Sequence, residues 1–276
     1  MKKGICLGTL PGDSVEDRFK LGKDVGFDGI EIGTLENGAD RDHYKIVADR
    51  VGIDLFSVMN AKHWSSPLSH PDQEVRADSV RGVIDSIETA TAVGASTVLL
   101  VPAVVNPEIS YEDAYSRSQA EIRSLIPFSK EKNVKISIEN VWNKFLLSPI
   151  EFVNYIDEFE SDCIGAYFDV GNILLYGYPQ HWIRSIGSRM DKVHIKGFNT
   201  NGFRWTGLIE ECSIDWNAVM AALSDIDYDG YITAELGVDQ NDPIGGTHKI
   251  SQDKDRIIAG EVYQNGNGTT FTRDTW

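Results

Sequence analysis

The sequence predicts an α/β fold, a single (β/α)8 TIM barrel that takes up all 276 residues as one domain. Three observations predict it. Eight short apolar runs recur along the chain, the longer stretches between them carry helical periodicity and charge, and several helix-to-strand junctions share one pattern. The length is normal for one barrel of this kind, so no second domain is needed to explain it.

The runs that predict strands are residues 4–7, 29–32, 53–58, 97–101, 135–138, 164–168, 192–195 and 231–234. A first helix is expected over 14–25, capped by Asp13 or Ser14. A long helix is expected over 75–92. Another is expected over 111–132, with Pro127 late in it, where the ring should end or kink the helix. Ser148-Pro149 is a good cap and first-turn pair for a helix over 149–159. His181 and Trp182 follow Pro179 at the start of a further helix, where packing explains them. The last helix is expected over 251–258, with an irregular tail from about residue 260 that contains the turn-rich stretch 264–268. The shared junction pattern is read in Val25-Gly26-Phe27-Asp28-Gly29, Ala92-Val93-Gly94-Ala95-Ser96 and Ile226-Asp227-Tyr228-Asp229-Gly230. Each ends a helix on a residue suited to a left-handed turn and starts a strand. A doubly wound open sheet is the alternative, weakened because no GxGxxG follows the first run.

Composition narrows the function classes. Hydrophobic residues make up 41% and charged residues 25%, ordinary for a soluble globular protein. The net charge of −16 argues against nucleic acid, whose binders need a basic face, and against anionic membranes. Cys6, Cys163 and Cys212 are widely spaced with no CxxC, which fits a reducing compartment and excludes a thiolate metal site. No apolar run of the 7–15 residues that a signal peptide needs follows Met1-Lys2-Lys3, and none approaches the roughly 18 residues that span a membrane. The expected location is the cytoplasm.

In a barrel of this kind, active-site groups sit at the C-terminal ends of strands. The last four runs end on Glu139, Asp169, His194 and Glu235, each flanked by apolar residues. A charge there is costly to bury unless it is paired or bound to metal. Oxygen donors plus one imidazole suit Mn²⁺, Mg²⁺, Co²⁺ or Fe²⁺. For any one of them, capping a helix or bonding a loop is an equally good account; for all four in strand order it is a poor one.

The segments SIENVWNKF (137–145), YFDVGN (167–172), KVHIKG (192–197) and YITAELG (231–237) resemble the xylose isomerase-like barrel superfamily, and within it bacterial sugar phosphate isomerases and epimerases of the hexulose-6-phosphate isomerase-like and ketose 3-epimerase-like kinds. The resemblance runs from about Gly4 to about Gly237. It implies one divalent metal, manganese first, with magnesium, cobalt or zinc as alternatives, held by Glu139, Asp169, His194 and Glu235. It further implies that Glu139 and Glu235 act as acid and base on a sugar or sugar phosphate. One would take a proton beside the carbonyl to give a cis-enediolate, and the other would return it, most simply as a ketose 3-epimerisation. Three departures bear on substrate. Asn172 stands where relatives often carry a histidine, Gly197 where they often carry Asp after His-x-Lys, and Glu210-Glu211-Cys212 where a Gly-rich loop precedes the Asp-Trp pair, here Asp215-Trp216.

Candidate substrate contacts are Glu31 at the end of the second run, His63 and Trp64 after the third, Trp142 and Asn143 after Glu139, Asn172, Lys196 two residues past His194, and Arg204 in the following loop, with Lys249 as a second cation for a phosphate. Each has a plain structural alternative in packing or ion pairing. Glu31 could equally orient a ligand. Trp64, Tyr176 and Tyr178 are candidates for an exposed surface where a homo-oligomer would form. Competing functions are an inosose-type dehydratase on the same metal site, a non-catalytic sugar-binding protein, and an apurinic endonuclease, which needs more histidines than the six present.

Overall fold

The computed structural model describes residues 1–262. In chain order it holds β1 (Lys2–Cys6), α1 (Val15–Asp24), β2 (Gly29–Gly33), α2 (Gly38–Val51), β3 (Asp54–Met59), α3 (Gln73–Val93), β4 (Thr97–Leu100), α4 (Tyr111–Lys132), β5 (Lys135–Glu139), α5 (Pro149–Asp157), β6 (Ile164–Asp169), α6 (Val170–Ile173), α7 (Pro179–Ile186), β7 (Met190–Ile195), β8 (Gly197–Asn199), β9 (Arg204–Thr206), α8 (Trp216–Asp225), β10 (Tyr231–Ala234) and α9 (Pro243–Ile258). The strands close in the order β1-β10-β7-β6-β5-β4-β3-β2, all parallel, and β8 and β9 form a separate antiparallel hairpin. The eight predicted runs all fall in barrel strands. The predicted irregular tail falls almost wholly outside the described residues.

Short side-chain caps start the helices. Ser14 and Asp17 form a reciprocal capping box at α1, and Ser110 and Ser148 accept from the backbone amides of Asp113 and Glu151. Such caps are worth about 1 kcal/mol each. Gly52 and Gly94 close α2 and α3 in the left-handed region, at φ 74° and 83°. α4 spans the expected 111–132, with Pro127 inside it and not at its end. Other elements differ from expectation. α2 lies in a stretch with no predicted element, although Tyr44, Val47, Ala48 and Val51 recur at helical spacing between the cap Asn37 and Gly52. α9 starts at Pro243 rather than 251, because Asp242 caps it and proline suits a first turn.

The core fills the barrel and the layer between strands and helices. Ile30, Val58, Val98, Ile136, Ile138, Phe168 and Val193 are fully buried, as are Phe19, Phe152 and Ile183 from the helices. Lys254 of α9 is also fully buried, and its ammonium donates to the carbonyls of Gly4 and Ile232, where β1 meets β10. No helix among the described residues is long and apolar enough to cross a membrane.

Candidate active site

β5, β6, β7 and β10 are consecutive in the closed sheet, and each ends within one residue of one of the predicted groups: Glu139, Asp169, His194 and Glu235. Strand register does the rest: Asp169 lies beside His194 and Glu139 beside Tyr167. One donor atom from each of the four lies within 4.8 Å of the others. The first three are buried, and Glu235 is partly open.

The cluster is held from behind. The His194 Nε2 is 2.8 Å from Glu31 Oε1, while its Nδ1 faces forward, 3.0 Å from Glu139 Oε1 and 3.5 Å from Glu235 Oε2. The Tyr167 hydroxyl donates to the other Glu31 oxygen. Donation from Nε2 to Glu31 sets the tautomer and leaves the Nδ1 lone pair for a ligand. The Asn140 side chain donates to the Asp169 carbonyl at 2.8 Å and accepts from its amide at 2.8 Å, tying the ends of β5 and β6 together. Asp169 Oδ1 accepts from the Asn172 amide at 2.7 Å. Its buried Oδ2 has no hydrogen-bond partner, although the Lys196 ammonium lies 3.1 Å away. That ammonium also donates to Glu235 Oε2.

Electrostatics follow from this crowding. Burial, reinforced by the nearby Glu235 charge, pushes the Glu139 carboxyl up to about 7 despite its contact with His194. Burial raises Asp169 as well, against the pull of Lys196. His194 is held well above its ordinary value: burial opposes its charge, but the Glu31 carboxylate outweighs it. Lys196 is raised too, because Asp169, Glu235 and Glu139 outweigh its desolvation. Three carboxylates converge on one point, with His194 and Lys196 beside them and an Asp169 oxygen that has no hydrogen-bond partner. A divalent cation bound by Glu139, Asp169, His194 and Glu235 fits that donor set.

A cavity of about 960 Å³ opens over the cluster and reaches it at Glu31, Lys196 and Glu235. Its walls are the loop after β1 (Leu7, Gly8, Thr9), the strand end at Ile32 and Gly33, the β8–β9 hairpin at Trp205–Gly207, and Leu236 and Gly237. The other sequence candidates divide around it. Glu31 touches the cavity, but both of its oxygens are engaged, so it orients His194. Asn172 is buried with its amide donating to the Asn140 carbonyl at 3.0 Å, and Asn143 bonds the Ala103 carbonyl at 2.7 Å. Both lace loops together. Arg204 is exposed on the hairpin and pairs with Glu211, away from the cluster; Lys249 pairs with Glu210 at 3.0 Å. His63 is buried and packs edge-on to the exposed Trp64 at 5.4 Å; neither lines the cavity. Tyr178 is exposed as expected, whereas Tyr176 packs against Trp182.

Trp142 belongs to a group that the sequence reading missed. Its indole donates to the Asn172 carbonyl at 2.9 Å and stacks on Trp205 at 4.8 Å and on Phe203 at 5.9 Å, with Phe198 buried beneath at 5.5 Å. Trp205 and Phe203 sit in and beside a three-residue strand whose run is too short for periodicity to reveal. Cys6 also sits beside the cluster: its thiol lies 3.4 Å from Glu31 and 3.8 Å from His194. Burial pushes it up to about 12, so it is a protonated packing group. Two glycines make the arrangement possible. A Cβ at Gly171 would lie 2.6 Å from Lys196 Cγ, and one at Gly197 would run into the Gly207 carbonyl and Thr206 Oγ1. Gly197 therefore lets β8 pair with β9, which accounts for the missing Asp.

A family model described as xylose isomerase-like TIM barrel matches residues 19–256. No curated protein matches the chain. Among solved structures, a D-tagatose 3-epimerase-like protein superposes with a TM-score of 0.80 at 19% identity, over 95% of this chain and 100% of that one. A 3-keto-D-glucoside 4-epimerase, YcjR, from E. coli superposes at 0.79 and 16% identity, over 93% and 99%. An L-ribulose 3-epimerase does so at 0.78 and 20%, over 94% and 95%. At such identities the likeness is one of fold.

Proposed function

This chain belongs to the xylose isomerase-like TIM barrel family, and from that premise we propose that it is a metal-dependent sugar epimerase or isomerase, with ketose 3-epimerisation as its simplest reaction. One observation carries the reading: donor atoms from Glu139, Asp169, His194 and Glu235, at four neighbouring strand ends, lie within 4.8 Å of one another beneath an open cavity. The solved neighbours named for 3- and 4-epimerisation of sugars support it. The expected cytoplasmic location stays part of this proposal, as does manganese as the metal.

The bound cation, when present, polarises the sugar carbonyl and acidifies the neighbouring C–H. The residues do the proton work. Glu139, buried at the end of β5, is one of the two carboxylates assigned to take and return the proton. Glu235 faces the cavity from β10, across from Glu139 on β5. One removes the proton from the carbon beside the carbonyl, leaving an enediolate, and the other delivers a proton to the opposite face. Lys196, held charged beside Glu235, steadies the negative charge that the enediolate carries. Glu31 and Tyr167 keep His194 oriented.

The test is NMR in D₂O with a panel of free and phosphorylated ketoses and Mn²⁺. Deuterium entering C3 marks epimerisation, and entry at C1 or C2 marks aldose–ketose isomerisation. Glu139→Gln should lower turnover by about 10²–10⁴-fold while manganese still binds. Full activity in that variant would sink the assigned role.

A further inference from the structure

We propose that the chain pairs with a second copy of itself through an uncharged apolar face built by the segments that follow β5, β6 and β7. The face is separate from the catalytic cluster, and its pairing does not depend on the epimerase reading.

Apolar exposure is concentrated there. Of the eleven large apolar side chains exposed among the described residues, seven lie between positions 142 and 205. Six of them, Trp142, Leu147, Ile150, Leu175, Tyr178 and Phe203, are exposed by 37–73% and stay clear of the cavity lining. The fold lays their segments side by side. The Trp142 indole donates to the Asn172 carbonyl, and the Tyr176 hydroxyl donates to the Val141 carbonyl at 3.4 Å, which ties the loops after β5 and β6 together. Phe203 stacks on Trp142. Trp182 of α7 packs on Phe152 of α5 and on Tyr176, joining the far side. The six side chains present roughly 600 Å² of apolar surface, at the upper end of the ~300–600 Å² that the largest patch on a monomer covers. With half-buried Leu174 and Tyr176 beside them, the face approaches the roughly 800 Å² that each partner gives to a standard interface.

Charge selects the occupant. Residues 141–150 and 170–183 hold a single charged side chain, Lys144, in a chain where 25% of residues are charged and the net charge is −16. Interface cores are depleted of charge and enriched in aromatic side chains. Two copies at −16 repel each other over most approaches, but on this face neither brings a carboxylate to the centre. Glu151, at its edge, is engaged by the Tyr111 hydroxyl and the Leu147 amide. A twofold axis sets the patch against its own image, so apolar side chains meet apolar side chains and no foreign complement is required. The face meets the cavity only at the β8–β9 hairpin. A second copy there sits beside the mouth and against Trp142, whose stacking holds Trp205 in the cavity wall.

The experiment is sedimentation velocity on the full chain over ~1–100 µM. The parent should sediment as a dimer at ~10 µM and above. Ile150→Asp and Tyr178→Asp should each weaken the dimer by about thirtyfold or more, since each drives a carboxylate into the apolar centre. Ile46→Asp, at an exposed apolar position on α2 away from the face, should leave it unchanged. Thermal melts by circular dichroism should place all three variants within a few degrees of the parent, so that loss of the dimer is not loss of the fold. A parent that stays monomeric at ~100 µM, a dimer that survives both substitutions on the face, or an equal loss in Ile46→Asp overturns the proposal. A monomeric parent would leave the face to a different protein.

Discussion

Glu31 shows how one residue can be legible in place and not in role. It ends an apolar run, so its position at the barrel mouth follows from the sequence. Only the folded chain shows that Tyr167, 136 residues away, and His194, 163 residues away, engage both of its oxygens. A carboxylate that orients a metal-binding imidazole typically contributes 10–100-fold to metal affinity. Glu31→Gln is therefore expected to weaken Mn²⁺ binding by about that factor, measured by chelator competition. Unchanged affinity would return Glu31 to the substrate contacts. Arg204 illustrates the opposite error, since its partner Glu211 lies in the same loop and only the hairpin's geometry brings them together. His63 makes a prediction of another kind. Burial lowers it from an ordinary 6.5 to about 4, so the fold favours its neutral form. Its contribution to stability is complete above pH 6.5 and is lost as pH falls towards 4, by about 3 kcal/mol in all. His63→Leu should match the parent in urea melts at pH 7.5 and lose less stability than the parent between pH 6.5 and 4.5. Parallel losses would show that His63 does not titrate as its burial implies.

Elements were legible in proportion to their hydrophobic contrast. The barrel strands are apolar runs bounded by turn residues, and all eight were recoverable. α2 was not, because only Val47 and Ala48 of its fourteen residues are buried and the rest of the helix is polar. The strands of the β8–β9 hairpin are three residues each, below the length at which alternation carries information. Yet this hairpin carries Trp205, which lines the cavity, and one glycine permits it. Gly197→Ala would place a methyl against the Gly207 carbonyl, which is backbone and cannot swing aside. Overpacking of this sort costs about 1–3 kcal/mol. Because the hairpin lies outside the closed barrel, the barrel should keep its melting temperature within a few degrees. Tryptophan fluorescence and proteolysis of the 200–206 segment should change markedly. A variant with unaltered hairpin protection would show that the clash is absorbed elsewhere.

At the scale of the whole molecule, the closed strand order explains why a single cation can bear on the stability of the entire barrel. β5, β6, β7 and β10 are neighbours in the sheet, but their sequence positions span Lys135 to Ala234. A ligand that grips all four ends joins segments that lie far apart in the unfolded chain, and that chain, with the four donors scattered, offers the cation no comparable site. Binding to the folded state alone stabilises it by about 2.7 kcal/mol at a concentration one hundred times Kd. For a chain of this size that corresponds to a rise of roughly 5 °C in Tm. Without the cation, Asp169 Oδ2 stays buried without a hydrogen bond and the surrounding carboxylates rely on Lys196 and His194, so stripping the metal removes stability rather than leaving it level. Calorimetry of the protein with excess Mn²⁺ and with chelator measures the difference directly. In Asp169→Asn, which keeps the helix-capping oxygen but loses the second carboxylate charge, the metal-dependent increment should fall well below that rise. Equal melting with and without Mn²⁺ in the parent protein would mean that the four strand ends do not bind the ion together, and the assignment of the site would fall with it.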